Sequence, residues 1–291
     1  MHLRYSLELL AVRLVRALFL AFPYAIASSF GGRLLRLIGP LTPRSKKARA
    51  HINFCFPDFE SRQVDSVLSG MWENLGRTLA EFFHLERLDI KSLDQVLMME
   101  GLEHLDAVAE HGCILAGAHL GNWEICALAL ALHGYNPAVV YREADNPKAE
   151  RLIQQIRHRY LNDGLPKGRA GAKKMLQAVK NQRVVYLLVD QKLREGALLP
   201  FFNHPTKTST VAARLALKLN CPILPTRVVR VHRHQLKLCI EPPLDTVGVA
   251  RDETGAMEIM TRVNATLERW IREHPEQWLW LHHRWKKRLS G

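Results

Sequence analysis

The sequence predicts an α/β fold in which helices flank a mainly parallel sheet, preceded by an N-terminal helical, membrane-associated region. From about residue 96 onward, short apolar runs alternate with stretches whose apolar residues recur at helical spacing. Such alternation is typical of strand–helix–strand units, whose consecutive strands run parallel. With 291 residues, the chain can bury a substantial core in one large domain or two small ones.

Residues 1–40 combine apolar and basic side chains and are predicted to be a membrane-anchoring helical segment. The uncharged stretch 17–32 is shorter than the roughly 20 residues that a spanning helix needs, and it contains a proline. Arg13 and Arg16 lie on one side of the preceding helix, where their stems can snorkel. A monotopic or partly inserted anchor therefore fits better than a clean span. The alternative is a cleaved signal peptide, although arginines interrupt its apolar part.

Residues 41–95 are predicted to form a helical region packed on the core, and residues 96–291 the α/β domain. Apolar residues at helical spacing between Val64 and Phe83 support the first assignment. The strands expected in the second region cover residues 112–118, 137–141, 183–190, 222–230 and 235–241, and the helices cover 123–133, 147–162, 171–181, 208–219 and 256–274. Near the C-terminus, Trp278, Trp280 and Trp285 suit either a membrane interface or the packing of a C-terminal helix.

The chain is basic, with 41 Lys and Arg against 28 Asp and Glu and a net charge of +13. Such a surface suits nucleic acid, anionic lipid or an acidic protein. Nucleic acid is not expected, because the charge is spread along the chain and no helix-turn-helix, zinc-finger or RNA-recognition signature occurs. The 5 cysteines are scattered, mostly inside apolar runs, which is typical of reduced, buried thiols.

The segment from His119 to Glu124 is the strongest candidate for chemistry. An apolar run ends at His119, and the pair Gly121-Asn122 then predicts a turn and a helix start. In an unbroken helix, five residues advance roughly 500°, so the two side chains meet only if the histidine precedes the helix. The carboxylate of Glu124 is then expected to accept a hydrogen bond from one ring nitrogen, leaving the other free as a base. The alternative is a helix cap beside a structural histidine.

Other candidates follow the predicted strands. Arg142 ends a strand that should lie beside the first one, and Arg157 stands on the next helix; both guanidinium groups suit phosphate, or ordinary surface salt bridges. Asp190 ends the strand 183–190, where a carboxylate is either functional or a turn cap. Thr208 and Ser209 begin a predicted helix and either cap it or face the site.

The segment His119-Leu-Gly-Asn-Trp-Glu124 resembles the H-x4-D/E motif of the bacterial lipid A late acyltransferases, which belong to the lysophospholipid acyltransferase superfamily. Further segments resemble the family in the same order: Asn53 to Pro57 (NFCFP), Tyr141-Arg142 with Asn146-Pro147, Asp190-Gln191, Pro200 to Phe202 with Thr208 to Thr210, and Pro275 to Lys286. The chain departs from the pattern at Asn203 and His283, neither of which touches the expected base. The resemblance covers nearly the whole chain.

This resemblance implies an acyltransferase that moves a fatty acyl chain from acyl carrier protein, or acyl-CoA, to a hydroxyl of a lipid A precursor or related membrane glycolipid. His119 is the implied general base, assisted by Glu124, and Arg157 falls where the family has a functional arginine. It further implies the inner membrane as location, with the catalytic domain facing the cytoplasm, and neither cofactor nor metal. The alternative reading is a non-catalytic, basic, peripheral membrane protein that binds anionic lipid.

Overall fold

The computed structural model describes residues 2–141, 143–158, 160–161, 164–165, 169–193 and 195–285. The first part of the chain is helical and consists of α1 (His2–Leu20), α2 (Tyr24–Ile38), α3 (Pro43–Cys55), α4 (Ser61–Phe82) and α5 (Ile90–Asp94). Within the described ranges, no helix has both the length and the apolar character needed to cross a bilayer. The helical spacing of apolar residues after Val64 is confirmed by α4, whose buried face carries Val64, Leu68 and Met71.

The rest of the chain alternates strands and helices, as predicted. In order these are β1 (Leu97–Glu100), α6 (Leu102–Ala109), β2 (Cys113–Gly117), α7 (Ile125–Leu132), β3 (Pro137–Val140), α8 (Pro147–Arg157), β4 (Gly164–Leu165), α9 (Arg169–Lys180), β5 (Val184–Leu188), β6 (Ala197–Phe201), β7 (His204–Thr208), α10 (Val211–Leu219), β8 (Ile223–His232), β9 (Gln235–Ile240) and α11 (Glu253–Glu273). All ten elements expected beyond residue 96 are present, with ends shifted by up to a few residues.

The main sheet has seven described strands in the order β1-β9-β8-β2-β5-β3-β4. Every neighbouring pair is parallel except β8 with β9, so the predicted mainly parallel sheet is confirmed. The expectation that the strand before Arg142 lies beside the first strand is wrong, because β5 lies between β2 and β3. Order along the chain does not fix order in a sheet, since a later crossover can return a strand into a gap.

A hairpin that the sequence pattern did not predict joins β6 and β7. Its turn is formed by Phe202 and Asn203, both at positive φ (52° and 57°), which is the backbone of a tight two-residue hairpin turn. The usual Asn-Gly or Asp-Gly signal is missing at this position, because Phe202 occupies the first turn position. Thr208 therefore ends a strand and does not begin a helix.

Apolar clusters cover both faces of the main sheet. One contains the buried faces of α4, α10 and α11 together with the C-terminal tryptophans, and the other contains α5, α6 and α7. Trp278 and Trp280 are fully buried with ring centroids 4.6 Å apart, and Trp285 is 5% exposed. These residues are therefore packed in the core, but they lie in the irregular segment after α11 and not in the C-terminal helix that the packing interpretation assumed.

The first two helices pack against this body, α2 along α4 and α1 against α8. Helix α2 crosses α4 where Gly31 faces Gly76; a Cβ on Gly76 would lie 2.1 Å from the carbonyl oxygen of Gly31, so a larger residue cannot be accommodated. Helix α1 meets the start of α8, where the Asn146 side-chain amide donates to the Tyr5 carbonyl at 3.0 Å. Large apolar side chains are exposed on α1, on α2 and at Phe22 between them: Leu7, Leu10, Leu14, Val15, Leu18, Phe22, Ile26, Phe30, Leu34, Leu37 and Ile38.

Candidate active site

The segment after β2 forms the strand–turn–helix arrangement that the sequence predicts. Strand β2 is fully buried and ends at Gly117, and α7 begins at Ile125. Gly121 has a φ of +56°, and a Cβ there would lie 2.2 Å from the carbonyl oxygen of Val228, so only glycine fits. The Asn122 side-chain oxygen accepts the Glu124 main-chain N–H at 3.2 Å and caps the following helix.

Asp190 is the carboxylate that binds His119. Strands β2 and β5 are parallel neighbours with Gly117 opposite Leu188, so the residues two positions later meet at the same edge of the sheet. The Nδ1 atom of His119 lies 2.7 Å from Oδ1 of Asp190, and the His119 main-chain N–H donates to Oδ2 at 2.9 Å. The indole of Trp278 also donates to Oδ2, at 2.8 Å. These contacts hold the ring in one orientation.

The electrostatics of Asp190 favour its ionised form. Its side chain is completely buried, and burial by itself raises the pKa of a carboxyl. The neighbouring imidazoles of His119 and His282 and the hydrogen bonds from His119 outweigh burial, so the pKa of Asp190 is lowered from its usual value. An ionised carboxylate only accepts hydrogen bonds, and the Nδ1 atom of His119 must therefore carry the proton.

That tautomer leaves the Nε2 lone pair of His119 available. The side-chain amide nitrogen of Gln191 lies 3.1 Å from this Nε2 and 3.3 Å from Nε2 of His282. The two imidazole ring centroids are 4.6 Å apart, and the Trp123 ring centroid lies 5.1 Å from that of His119. The His119 side chain is 13% exposed, so a small group can reach Nε2 in place of the Gln191 amide.

The expected hydrogen bond between Glu124 and His119 is wrong. Both oxygens of Glu124 instead accept from the Nη2 atom of Arg157, the last residue of α8, at 2.8 Å each. The physical reason is that Asp190, arriving from the adjacent strand, already occupies the ring nitrogen that a carboxylate can bind. Glu124 follows the Gly121 turn and lies within reach of α8 instead.

Arg157 is held between aromatic rings. Its guanidinium carbon lies 4.9 Å from the centroid of Tyr141 and 5.6 Å from that of Phe82. Burial opposes its charge, but the Glu124 carboxylate outweighs burial and the pKa of Arg157 is raised. An adjoining cavity of about 280 Å³ is lined by Tyr141, Glu143, Gln154, Arg157, His158, Leu161 and Gly164. The arrangement provides a fixed positive charge beside an open, polar cavity.

The remaining candidates from the sequence have other positions. Arg142 lies outside the described residues. Ser209 lies just before α10, where its hydroxyl accepts the Val211 N–H at 3.4 Å. Thr208 is buried, and its hydroxyl accepts from the Nη2 of Arg284 at 3.0 Å. Arg284 in turn donates to the Gln191 carbonyl at 3.0 Å, so Thr208 is connected to Gln191 through a buried arginine and does not face the site directly. Burial lowers the pKa of Arg284 to about 10.

Three of these site residues were not predicted from the sequence: Gln191, His282 and Arg284. Gln191 follows Asp190 directly, so the same strand-end argument could have included it. His282 and Arg284 lie in the irregular C-terminal segment, where no periodicity indicates which residues return to the sheet. The main chain of this segment contacts the turn, since the Leu279 N–H donates to the His119 carbonyl at 3.0 Å.

Thiol and metal chemistry receive little support from the described residues. All five cysteines are free and buried, and burial raises the pKa of Cys113 and Cys126 to about 12 and of Cys221 to about 11. A thiol with such a pKa is a poor nucleophile near neutral pH. In the part of the chain that the structure describes, no three His, Cys, Asp or Glu side chains cluster as metal ligands.

Comparison with known proteins places this chain in a family. The chain is similar to a lipid A biosynthesis acyltransferase from Haemophilus influenzae, with 26% identity over 98% of this chain and 92% of the relative. It is 28% identical to the lipid A biosynthesis lauroyltransferase of Escherichia coli over 100% of this chain and 95% of the relative. A phosphatidylinositol mannoside acyltransferase of Mycobacterium tuberculosis is 30% identical over 78% of this chain and 72% of the relative. The family model for bacterial lipid A biosynthesis acyltransferases matches residues 1–287, and the chain belongs to this acyltransferase family.

Proposed function

We propose that this protein transfers a fatty acyl group from acyl carrier protein, or acyl-CoA, to a hydroxyl of a lipid A precursor or a related glycolipid, with His119 as general base. The observation that carries the proposal is the environment of the His119 ring. Its Nδ1–H is bound by the buried carboxylate of Asp190, whereas its Nε2 lies at the carboxyl edge of the sheet beside only an amide. Ligands of open α/β sheets bind at this edge.

The chemistry needs one base and no covalent enzyme intermediate. Nε2 of His119 takes the proton of the acceptor hydroxyl as its oxygen attacks the thioester carbonyl. The tetrahedral intermediate collapses, the C–S bond breaks, and the imidazolium returns the proton to the departing thiolate. Asp190 keeps the ring in the correct tautomer and stabilises the imidazolium, in the role that a buried aspartate has in other histidine-based sites.

The developing oxyanion needs a hydrogen-bond donor, and three main-chain N–H groups of the turn are already engaged. The main-chain N–H groups of His119, Leu120 and Gly121 already donate to Asp190, Ala118 and Gln277. We therefore assign the anion contact to Arg157, which Glu124 orients and whose rigid guanidinium suits a phosphate or an oxyanion. In this proposal Glu124 acts through Arg157, and the catalytic role first expected for it as partner of His119 passes to Asp190.

The central test is the variant His119→Ala in purified, detergent-dispersed enzyme. We expect a normal melting temperature and a loss of at least about 10²-fold in kcat, the usual scale for a positioned base. A variant that transfers acyl groups at nearly the wild-type rate would overturn the assignment. It would also revive the non-catalytic lipid-binding alternative, which the acyltransferase relatives do not favour.

Donor and acceptor need separate measurements. The net charge of +13 suits an acidic carrier protein, which predicts a KM for the acylated carrier protein that rises steeply with salt. If the kcat/KM with acyl-CoA equals or exceeds that with the acylated carrier protein, acyl-CoA is the donor instead. Mass spectrometry of host glycolipids with and without the gene would identify the acceptor; relatives acting on lipid A and on phosphatidylinositol mannoside are both similar to this chain.

We further propose that α1 and α2 hold the enzyme on the inner face of the cytoplasmic membrane. Their exposed apolar residues recur every three or four positions, and the exposed Arg13, Arg33 and Arg36 flank them. An apolar helix face with basic residues beside it is typical of interfacial helices. Replacing Leu10, Leu14 and Leu18 by Ser should release the enzyme from anionic vesicles, whereas Leu198→Ser, an equally exposed leucine of β6, should not. Undiminished binding of the triple variant would contradict this anchor.

A further inference from the structure

A buried polar cluster on α4 contacts the active-site turn from the side of the N-terminal helices. At its centre, Glu81 is completely buried. Its Oε1 accepts from the Ser28 hydroxyl of α2 at 2.6 Å and from Nη1 of Arg230 at 2.7 Å. Its Oε2 accepts from Nη2 of Arg230 at 3.0 Å and from the side-chain amide of Asn122 at 2.8 Å. One carboxylate therefore joins α2, α4, β8 and the turn.

The contact with Asn122 determines which way the Asn122 amide faces. An ionised carboxylate can only accept, so the NH₂ group of Asn122 must point to Glu81. The side-chain oxygen of Asn122 is then directed to the Glu124 main-chain N–H, 3.2 Å away. Glu81 thus fixes the backbone just before α7. This includes Glu124, whose carboxylate binds Arg157.

A second set of contacts from α4 holds the preceding residue of the turn. Nε of Arg230 donates to the Asn74 side-chain oxygen at 3.1 Å, which orients the Asn74 amide toward the Gly121 carbonyl at 2.9 Å. The Thr78 hydroxyl donates to the same carbonyl at 3.1 Å. The Gly121 carbonyl and, through Asn122, the Glu124 N–H are therefore both oriented by side chains of α4 and by Arg230.

We propose that Glu81 is a positioning residue for acyl transfer, acting through Asn122 on the geometry of the turn between His119 and Glu124. The inference rests on the proposed roles of His119 and Arg157. A buried ion pair such as that of Glu81 with Arg230 is often no more stabilising than packed apolar side chains. Here the ion pair fixes the orientation of its neighbours. The Glu81 carboxylate accepts four hydrogen bonds, from Ser28, Asn122 and both terminal nitrogens of Arg230, and the turn is held through Asn122 and Arg230. Displacements of about 1 Å at a catalytic group can cost about 10²-fold in rate.

The first experiment compares Glu81→Gln with Glu73→Gln. In Glu81→Gln, the new side-chain amide places N–H hydrogens against the surrounding donors and disturbs Asn122, while the volume is nearly preserved. We expect kcat to fall about 10- to 100-fold in folded enzyme, with the KM for the acyl donor within about threefold of wild type. Glu73 lies on the same helix and is paired with Arg36 and Arg77, away from the turn, so Glu73→Gln should retain the wild-type kcat.

The second experiment changes the turn side of the contact and covers the case in which Glu81→Gln fails to fold. In Asn122→Ser, the hydroxyl can still cap the Glu124 N–H, but it is too short to reach Glu81, so kcat should fall as in Glu81→Gln. In the exchanged pair Glu81→Gln/Asn122→Asp, the amide and carboxylate swap places and the cap is retained. We expect its kcat to exceed that of Asn122→Asp alone by about tenfold, because the single variant sets two carboxylates against each other.

A purely structural role predicts a different result: lower melting temperatures with unchanged kcat in the folded fraction, which would overturn the proposal. A kcat for Asn122→Ser within about twofold of wild type would also overturn it, because a displacement of about 1 Å at a catalytic group lowers the rate far more than that. His119→Ala, assayed in parallel, separates the two levels of the argument. If His119→Ala is inactive while Glu81→Gln and Asn122→Ser keep a kcat within about twofold of wild type, only the positioning role fails. If His119→Ala is active, the proposed function itself fails.

Discussion

The two carboxylates on which the site depends differ in sequence distance and in surroundings. Glu124 is five residues from His119 yet binds Arg157, a residue that lines an open cavity, and 21% of the Glu124 side chain is exposed. Asp190 is 71 residues from His119 yet binds both its ring and its main chain, with nothing exposed. A carboxylate sealed from water is suited to holding a base, whereas a partly exposed one paired with a cavity-lining arginine is suited to orienting that arginine toward substrate.

This difference teaches that neighbours in a motif need not be partners in the mechanism. The turn that begins at Gly121 separates the region around His119 from the region around Glu124. The first region is largely buried and, in the proposed mechanism, determines the protonation of the base. The second is polar and open and carries the fixed positive charge. The following changes test whether the two regions act separately, beginning with the largest effect.

Asp190→Asn should cause the largest loss. The amide can place an N–H against Nδ1 of His119, which drives the proton to Nε2 and removes the base. We expect kcat to fall about 10³- to 10⁴-fold. Adding His119→Ala should cost little more, because groups that act as a unit are non-additive. Steady-state kinetics of the three variants test this, and independent, multiplicative losses would show that Asp190 and His119 are not one unit.

Arg157→Lys and Glu124→Gln should cause the next largest losses. An ammonium cannot reproduce a planar, bidentate grip, so the KM for the anionic substrate should rise and kcat fall, together by about 10- to 100-fold in kcat/KM. In double variants, the loss of kcat/KM caused by Glu124→Gln should be smaller when Arg157→Lys is already present. It should combine independently with the loss caused by Asp190→Asn. Strong coupling of Glu124 to Asp190 instead would restore the simple His119–Glu124 pair.

The lowered pKa of Asp190 predicts a smaller effect, on stability at acid pH. An ionised Asp190 is favoured in the folded state, so the unfolded chain binds more protons at low pH. The contribution is complete above the unfolded pKa of about 3.9 and is lost as pH falls through the lower folded pKa. Urea unfolding between pH 3 and 5 should therefore depend less steeply on pH in Asp190→Asn than in wild type. Equal slopes would mean that Asp190 titrates normally.

The smallest expected effect is that of thiol reagents. Because Cys113, Cys126 and Cys221 are buried and their pKa values are raised to between about 11 and about 12, they should stay protonated and inaccessible. Iodoacetamide at pH 8 should leave the activity of the folded enzyme unchanged and label all five cysteines only in denaturant. Rapid labelling of the native enzyme with loss of activity would transfer the chemistry from imidazole to a thiol.

Predictions from the sequence were most accurate where local patterns are strong. The apolar run before His119, the glycine turn and the helix after it were all expected, because each depends on burial and backbone conformation over a few residues. Short or unusual elements were missed: β1 has four residues, β4 has two, and the β6–β7 hairpin turns through Phe202-Asn203. Such elements are stabilised by neighbouring strands rather than by a pattern of their own.

The sequence by itself determined the fold class, the place of His119 at a strand end, and the family. Only the tertiary structure decided the partners: Asp190 for His119, Arg157 for Glu124, and Glu81 for Asn122. The physical reason lies in the sheet order, which brings β5 beside β2 although two other strands intervene along the chain. Hydrogen bonds act over about 3 Å of space, and distances along the chain do not predict which polar groups come that close.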